Sequence, residues 1–266
     1  MDAGRGLRIV LRALTGGTLL FLYLPIVLIF VYAFNAGTTT VWPPFGFSTR
    51  WFGEALRNTG LQQAFATSLL VAVGASAVAL VLGSLAALAV SRYRFFGRET
   101  VSFIVILPIA LPGIVTGMAL STTFATLGLP LGILAIVVGH ATFCIVLVYN
   151  NAIARLRRTA RSYEEASADL GADTWTTFRR ITFPALRSAL LAGALLAFAL
   201  SFDEVIVTIF TAGGVETLPI WIYQSFRLAN QVPVVNVAGV IAILLSAIPV
   251  YIATRLSADS SAAATR

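Results

Sequence analysis

The chain has 266 residues, of which 58% are hydrophobic and 11% charged, and its mean hydropathy is +0.91. A soluble domain carries about 25% charged residues, so this composition excludes a soluble globular protein and indicates an all-α polytopic membrane protein. All 18 basic residues are arginine. A nucleotide-binding P-loop needs a lysine, which excludes an ATP site of that kind, and the positive-inside rule explains the net charge of +7 better than nucleic-acid binding does.

Six apolar stretches approach or exceed the ~20 residues that a helix needs to cross the hydrocarbon core. The first follows Arg5, Arg8 and Arg12, but it continues past the usual length of a signal sequence and no Ala-x-Ala site closes it, so we expect it to be retained. Pro108 and Pro112 predict a kink or break in the third. The predicted spans lie near residues 10–34, 64–90, 101–126, 131–150, 187–210 and 236–256.

The arginines are distributed unequally between alternate connecting segments. If the N-terminus lies inside, fifteen arginines fall on the inner side and three, Arg50, Arg57 and Arg227, on the outer side. This asymmetry predicts six transmembrane helices with both termini cytoplasmic. The longest inner segment, residues 151–184, is called the cytoplasmic loop below.

Two segments on the predicted outer side indicate short helices. The first, near residues 48–59, follows a stretch rich in proline and aromatic residues, and Ser48 is placed to cap it. The second, near residues 217–228, reads TLPIWIYQSFRL. We expect one short helix in each, within a single transmembrane domain that covers residues 1–266.

The chain contains one histidine, His140, and one cysteine, Cys144, four residues apart in the fourth predicted span. This spacing places both on one helical face, and we expect them to pack in the interior. A lone histidine and a lone cysteine form neither an intrachain disulfide nor a multi-residue metal site. The sequence also offers no nucleophile and base for a membrane enzyme.

Two adjacent carboxylates, Asp203 and Glu204, lie in the fifth predicted span. A charge at the bilayer centre costs ~2.5–3.5 kcal/mol, so such residues usually face a bundle interior or a watery path. No arginine lies near them along the helix. A partner can come from another span or subunit as a structural ion pair, or from a cationic cargo, because an amine ~4 Å from a carboxylate gains about 4 kcal/mol at an effective dielectric constant near 20.

The cytoplasmic loop carries helix-capping signals. Ser162 and Glu165 have the spacing of a capping box at the start of a short helix. Gly171 suits a left-handed C-cap, and Asp173 can cap a second helix. Pro184 is expected to mark the turn into the fifth span. These signals predict two short helices that form a compact projection on the inner face.

The loop string EEASADLGADTWTTFRRITFP resembles the "EAA" loop of type I ABC importer permeases, with Glu-Ala-Ala, then Gly, then Ile-x-Leu-Pro at set distances. Ser167 replaces the second alanine and Phe183 the leucine of that pattern. The resemblance implies the type I ABC importer permease fold and a coupling helix that docks on a separate ATPase subunit. The positions that it assigns to ATPase coupling are Glu164, Glu165, Ala166, Ser167, Asp169, Gly171, Ala172, Ile181 and Pro184.

A narrower resemblance covers about residues 20–256. SFDEVIVTIFTAGG followed by ETLPIWIY, together with LYLPIVLIFVYAFN and FGFSTRWF, is similar to the PotC-like permeases of spermidine/putrescine importers. By position, this resemblance implies that Asp203, Glu204 and, more weakly, Phe202 contact the cargo. On chemical grounds Glu216, Trp221 and Tyr223 could line its way in, although the two aromatic residues also suit an interfacial belt.

The resemblance therefore implies a permease subunit of an ATP-driven polyamine importer, multi-pass in a bacterial cytoplasmic membrane, with no cofactor, metal or nucleic acid of its own. Its implied partners are a second, PotB-like permease, an extracytoplasmic polyamine-binding protein, and two ABC ATPase subunits that bind ATP and Mg²⁺. One alternative is an ABC permease for another solute, such as an amino acid, another amine or an iron complex. Another is a proton-coupled carrier that uses the acidic pair as a relay, which inverted repeats would support.

Overall fold

The computed structural model describes residues 4–44, 46–228 and 231–262, and these residues form twelve α-helices and no strand. Residues 1–3 and 263–266, whose cytoplasmic location is predicted above, lie outside them. A π-helix, Phe178–Thr182, joins α8 to α9. The helices are α1 (Arg5–Ala33), α2 (Arg50–Arg57), α3 (Thr59–Arg92), α4 (Arg98–Ala110), α5 (Gly113–Thr126), α6 (Ile133–Arg158), α7 (Ser162–Asp169), α8 (Thr174–Thr177), α9 (Phe183–Phe202), α10 (Ile206–Thr211), α11 (Leu218–Ser225) and α12 (Val232–Ala262).

Five helices of the described residues are long and apolar enough to cross a membrane: α1, α3, α6, α12 and the continuous helix Thr174–Phe202. The sixth predicted span consists of α4 and α5, which are bent by 106° relative to each other. The break falls at Leu111 and Pro112, where proline cannot donate a backbone hydrogen bond. The structure thus confirms the predicted break, and six spans result if the bent pair counts as one.

The chain forms two compact units, Met1–Gln62 with Ile222–Ile243 and Gln63–Trp221 with Leu244–Arg266. In the first, the buried indole of Trp51 donates to the carbonyl oxygen of Asn35 at 2.7 Å, which fixes α2. In the second, α6 is the central helix, since buried residues occur along most of its length. Helices also occur in both segments where short outer helices are predicted, as α2 and α11.

Helix α6 continues to Arg158, beyond residue 150, so the first part of the cytoplasmic loop is helical. The prediction that Pro184 marks a turn is wrong, because the helix from Thr174 runs without interruption to Phe202. A proline inside an α-helix clashes with the carbonyl four residues earlier. The wider π-helical turn directly before α9 accommodates Pro184, so the second loop helix continues into the membrane span.

The fifth span is also not the single helix that is predicted over residues 187–210. Helix α9 ends at Phe202 and α10 begins at Ile206. The three residues between them, Asp203–Val205, are called the helix break below. The two carboxylates therefore do not occupy successive positions of one regular helix.

Candidate functional site

The helix break gives the two carboxylates different surroundings. Asp203 directly follows the last residue of α9 and is exposed on the surface of the chain. Glu204 is half-buried, and its Oε1 accepts a hydrogen bond from the backbone N–H of Val207 at 3.0 Å. Glu204 thus satisfies a backbone donor in the first turn of α10, whereas Asp203 is the carboxylate that is available to a ligand.

His140 of α6 joins the two sides of the helix break. Its Nδ1 lies 2.8 Å from Oγ of Ser201, at the end of α9, and its Nε2 lies 2.8 Å from Oγ1 of Thr208, in α10. Thr208 donates its own hydroxyl proton to the carbonyl oxygen of Glu204 at 2.7 Å. Thr208 must therefore accept from Nε2–H, and in a neutral imidazole Nδ1 then accepts from the hydroxyl of Ser201.

The burial of His140 and Cys144, which are 1% and 0% exposed, confirms their expected packing in the interior. The Cys144 thiol donates to the carbonyl oxygen of Ala197 at 3.3 Å. Helix α10 comes close to α6 at Gly139, where a Cβ atom would lie 2.9 Å from a methyl carbon of Val207. Glycine at this position permits the close packing that brings the imidazole to Thr208.

We expect His140→Leu to lower the free energy of unfolding by about 1–3 kcal/mol, because it removes the partner of two buried hydroxyl groups. Thermal unfolding of the detergent-solubilised protein measures this loss. His140→Gln is the matched control, since its amide can still donate to Thr208, and it should recover part of the stability. Equal unfolding temperatures for the wild type and His140→Leu would show that the network does not hold the helix break.

The aromatic residues that are predicted to meet the cargo differ in exposure. Phe202 is buried and packs against Phe198 and Phe65, with ring centroids 5.9 and 6.1 Å apart. Trp221 is buried in α11. Tyr223 is exposed, and its hydroxyl accepts a hydrogen bond from Arg227 at 2.8 Å.

Phe202, Asp203 and Glu204 adjoin one another at the helix break, while Glu216 is half-buried in the connection that leads to α11. Among the side chains that the structure describes, the ion pairs Arg92–Glu164 and Arg161–Glu165 involve neither Asp203 nor Glu204. Neither carboxylate therefore has an ionic partner among these side chains. The roles of the six residues in cargo transport stay predictions.

The cytoplasmic loop confirms two of its three predicted caps. Gly171 follows α7 with a φ angle of +82°, and the N–H of Ala172 donates back to the carbonyl oxygen of Ser167 at 3.1 Å. The carboxylate of Asp173 accepts a hydrogen bond from the N–H of Thr176 at 2.8 Å. Hydrogen bonding by Thr176 lowers the pKa of Asp173, so this exposed cap carries its charge at neutral pH.

The capping box at Ser162 and Glu165 is wrong, because no side chain caps the start of α7. The two neighbouring glutamates pair with arginines instead. Glu165 forms an exposed ion pair with Arg161, 3.4 Å apart. Glu164 points to the other side and binds Arg92 of α3.

Exposed residues cover the outer surface of α7 and the turn after it. Leu170, at this turn, is 89% exposed, and Tyr163 and Trp175 are exposed as well. None of these three residues is among the predicted coupling residues, although a leucine beside a loop glycine is the signal that could have identified Leu170. The predicted coupling residues that are also exposed are Glu165, Ala166, Asp169, Gly171 and Pro184, while Glu164, Ser167, Ala172 and Ile181 are half-buried.

Comparison with known proteins places the chain among transport proteins. Residues 79–261 match the family described as "Binding-protein-dependent transport system inner membrane component". The chain is 39% identical over 217 residues to the putrescine transport system permease protein PotI of Escherichia coli K12, covering 78% of this chain and 76% of that protein. It is 34% identical over 256 residues to the spermidine/putrescine transport system permease protein PotC of the same strain, covering 94% and 96%.

Solved structures agree with this fold. A bacterial ABC transporter involved in the import of the acidic polysaccharide alginate superimposes with a TM-score of 0.72 at 20% identity, covering 97% of this chain and 99% of that one. The MetNI methionine ABC transporter superimposes with a TM-score of 0.60 at 17% identity, covering 80% and 99%. Both are similar to the present chain in fold.

Proposed function

Since the chain belongs to the family of inner membrane components of binding-protein-dependent transport systems, we propose that it is the permease subunit of an ATP-driven importer of putrescine or spermidine. It resides in the cytoplasmic membrane as a multi-pass protein. Its similarity to PotI and PotC over most of its length supports a polyamine as the cargo.

The observation that carries this proposal is the exposed carboxylate of Asp203 at an interrupted membrane helix. An interrupted helix within a membrane is tolerated where it is buried in protein or lines a watery cavity. Asp203 has no arginine partner in the described part of the chain, so it presents a negative charge that a primary amine of the cargo can neutralise. Such a contact is strong enough to select a cation and weak enough to release it.

The proposed partners follow from what the chain contains and lacks. It has no lysine for a P-loop, so two partner ATPase subunits would bind ATP and Mg²⁺. The exposed apolar surface at Leu170 and Trp175 supports docking of an ATPase subunit on the cytoplasmic loop. A second, PotB-like permease would complete the path, and an extracytoplasmic polyamine-binding protein would deliver the cargo.

Transport in proteoliposomes tests this function. The assembled complex is reconstituted with ATP in the lumen, and uptake of radiolabelled putrescine is measured with the binding protein outside. We expect Asp203→Asn to reduce uptake at low putrescine concentration by about tenfold or more, because one charge contact with the cargo is lost. Glu54→Gln is the matched control, since it removes another exposed carboxylate on the predicted outer side and should leave uptake unchanged.

Each other outcome points to a different function. Uptake that proceeds without ATP and stops when a protonophore is added would identify a proton-coupled carrier. ATP-dependent uptake of an amino acid, another amine or an iron complex, but not of putrescine or spermidine, would change the cargo class. If Asp203→Asn prevented assembly to the same extent as uptake, the carboxylate would belong to an ion pair with a neighbouring subunit.

A further inference from the structure

A single carboxylate oxygen connects three helical elements at the inner face. Oε1 of Glu164, in α7, lies 3.0 Å from Nε and 2.9 Å from Nη2 of Arg92, the last residue of α3. The same oxygen accepts a hydrogen bond from Oγ1 of Thr182 at 3.1 Å. Thr182 ends the π-helix that leads into α9. The contact of Arg92, Glu164 and Thr182 is called the inner latch below.

The inner latch is shielded from water, unlike the other ion pair of the loop. The side chains of Arg92 and Glu164 are 15% and 19% exposed, compared with 62% and 64% for Arg161 and Glu165. An exposed pair contributes about 0–1 kcal/mol. Removing one partner of a shielded pair leaves an uncompensated charge and costs considerably more. Arg92 and Glu164 therefore hold each other in place more firmly than a surface pair would.

Hydrophobic packing does little to fix α7. None of its residues is buried. A cavity of about 860 Å³ lies between the inner end of α3 and the cytoplasmic loop, lined by apolar residues that include Leu85, Leu88 and Phe178. Arg92 and Glu164 also line this cavity, and their ion pair is a direct polar connection between α7 and α3.

We propose that the inner latch transmits movement of the cytoplasmic loop to two membrane helices, and that Arg92, Glu164 and Thr182 are positioning residues of the transport cycle. A displacement of α7 moves Glu164, which carries Arg92 and thus the end of α3. It also acts on Thr182 and so on the helix that ends at Phe202, directly before the helix break. This inference rests on the proposed function and specifies how the inner face communicates with the carboxylates.

The test measures ATP hydrolysed per putrescine taken up by the reconstituted complex. We expect Arg92→Gln and Glu164→Gln each to raise this ratio about fivefold, because the coupling between loop and membrane helices is weakened. The charge-exchanged double variant Arg92→Glu with Glu164→Arg should return the ratio towards the wild-type value. Arg94→Gln is the matched control, since Arg94 is exposed two residues further along, and it should leave the ratio unchanged.

A purely structural role would lower the yield of assembled complex without changing the ratio, and that result would overturn the proposal. The proposal would also be overturned if the charge-exchanged double variant hydrolysed as much ATP per putrescine as the single variants do. If both single variants fail to assemble, Thr182→Val removes one hydrogen bond at nearly constant volume, and an unchanged ratio for this variant contradicts the latch.

A second measurement separates failure of the latch from failure of the polyamine function. Spin labels at Tyr93→Cys and Ala168→Cys report the distance across the cavity in the assembled complex and need no cargo. We expect this distance distribution to broaden in Arg92→Gln, and an unchanged distribution would refute the latch. Absence of ATP-dependent putrescine uptake by the wild type would instead refute the proposed function.

Discussion

Replacing Leu170 by aspartate is expected to abolish putrescine uptake and to weaken binding of the ATPase subunits by tenfold or more. Leu170 is 89% exposed at the turn between α7 and α8. Burial of a leucine side chain in a partner surface gains about 1.5–3 kcal/mol, and each 1.4 kcal/mol corresponds to about tenfold in affinity. An aspartate loses that gain and adds the cost of desolvating a charge.

This prediction separates docking from folding. Because Leu170 has few contacts within the chain, Leu170→Asp should leave the unfolding temperature of the isolated permease unchanged. Leu170→Met keeps an apolar side chain of similar volume and should retain most of the uptake. Copurification of the ATPase subunits with each variant gives the measurement. Normal copurification with Leu170→Asp would place the ATPase contact elsewhere on the inner face.

Features that depend on a few neighbouring residues could be predicted from the sequence. Gly171 and Asp173 terminate and start helices through bonds to residues within five positions of themselves. The break at Pro112 is equally local, because proline lacks the N–H that a continuous helix requires. The amino acid itself supplies the physical cause in each of these cases.

Features that depend on distant residues could not be predicted in this way. Glu164, which the sequence marks only as a coupling position, binds Arg92, 72 residues earlier in the chain. No such long-range partner is visible in a local pattern. The inner latch is therefore a finding of the structure, although the sequence correctly marks the segment that contains it.

The helix break is a second feature of this kind. Asp203–Val205 contains neither glycine nor proline, so hydropathy and propensity favour one continuous helix over residues 187–210. His140 stabilises the interruption from 61 and 68 residues away, through Ser201 and Thr208. The sequence identifies the two carboxylates as candidates, but their different surroundings follow from this tertiary contact.

Replacing Gly213 by alanine is expected to destabilise the protein by about 2–5 kcal/mol, which combines a left-handed backbone penalty of about 1–2 kcal/mol with a steric cost of about 1–3 kcal/mol. Gly213 has a φ angle of +56°. A Cβ atom there would lie 2.6 Å from Cβ and 2.8 Å from the carbonyl carbon of Leu131. Backbone atoms cannot rotate away as the end of a flexible side chain can.

Gly214 provides the matched control. It also has a positive φ angle, +97°, but no heavy atom would lie within 4 Å of its added Cβ. Gly214→Ala should therefore show a backbone penalty without a steric clash, and a greater loss of stability in Gly213→Ala than in Gly214→Ala would reveal the contact with Leu131.

The contact bears on transport because the N–H of Gly132 donates to the carbonyl oxygen of Thr211, the last residue of α10, at 3.0 Å. If Leu131 is pushed away, this bond is strained and α10 shifts together with the carboxylates that precede it, so Gly213→Ala should reduce uptake more than Gly214→Ala. Equal losses of stability and uptake in the two variants would show that the turn before α6 does not hold α10.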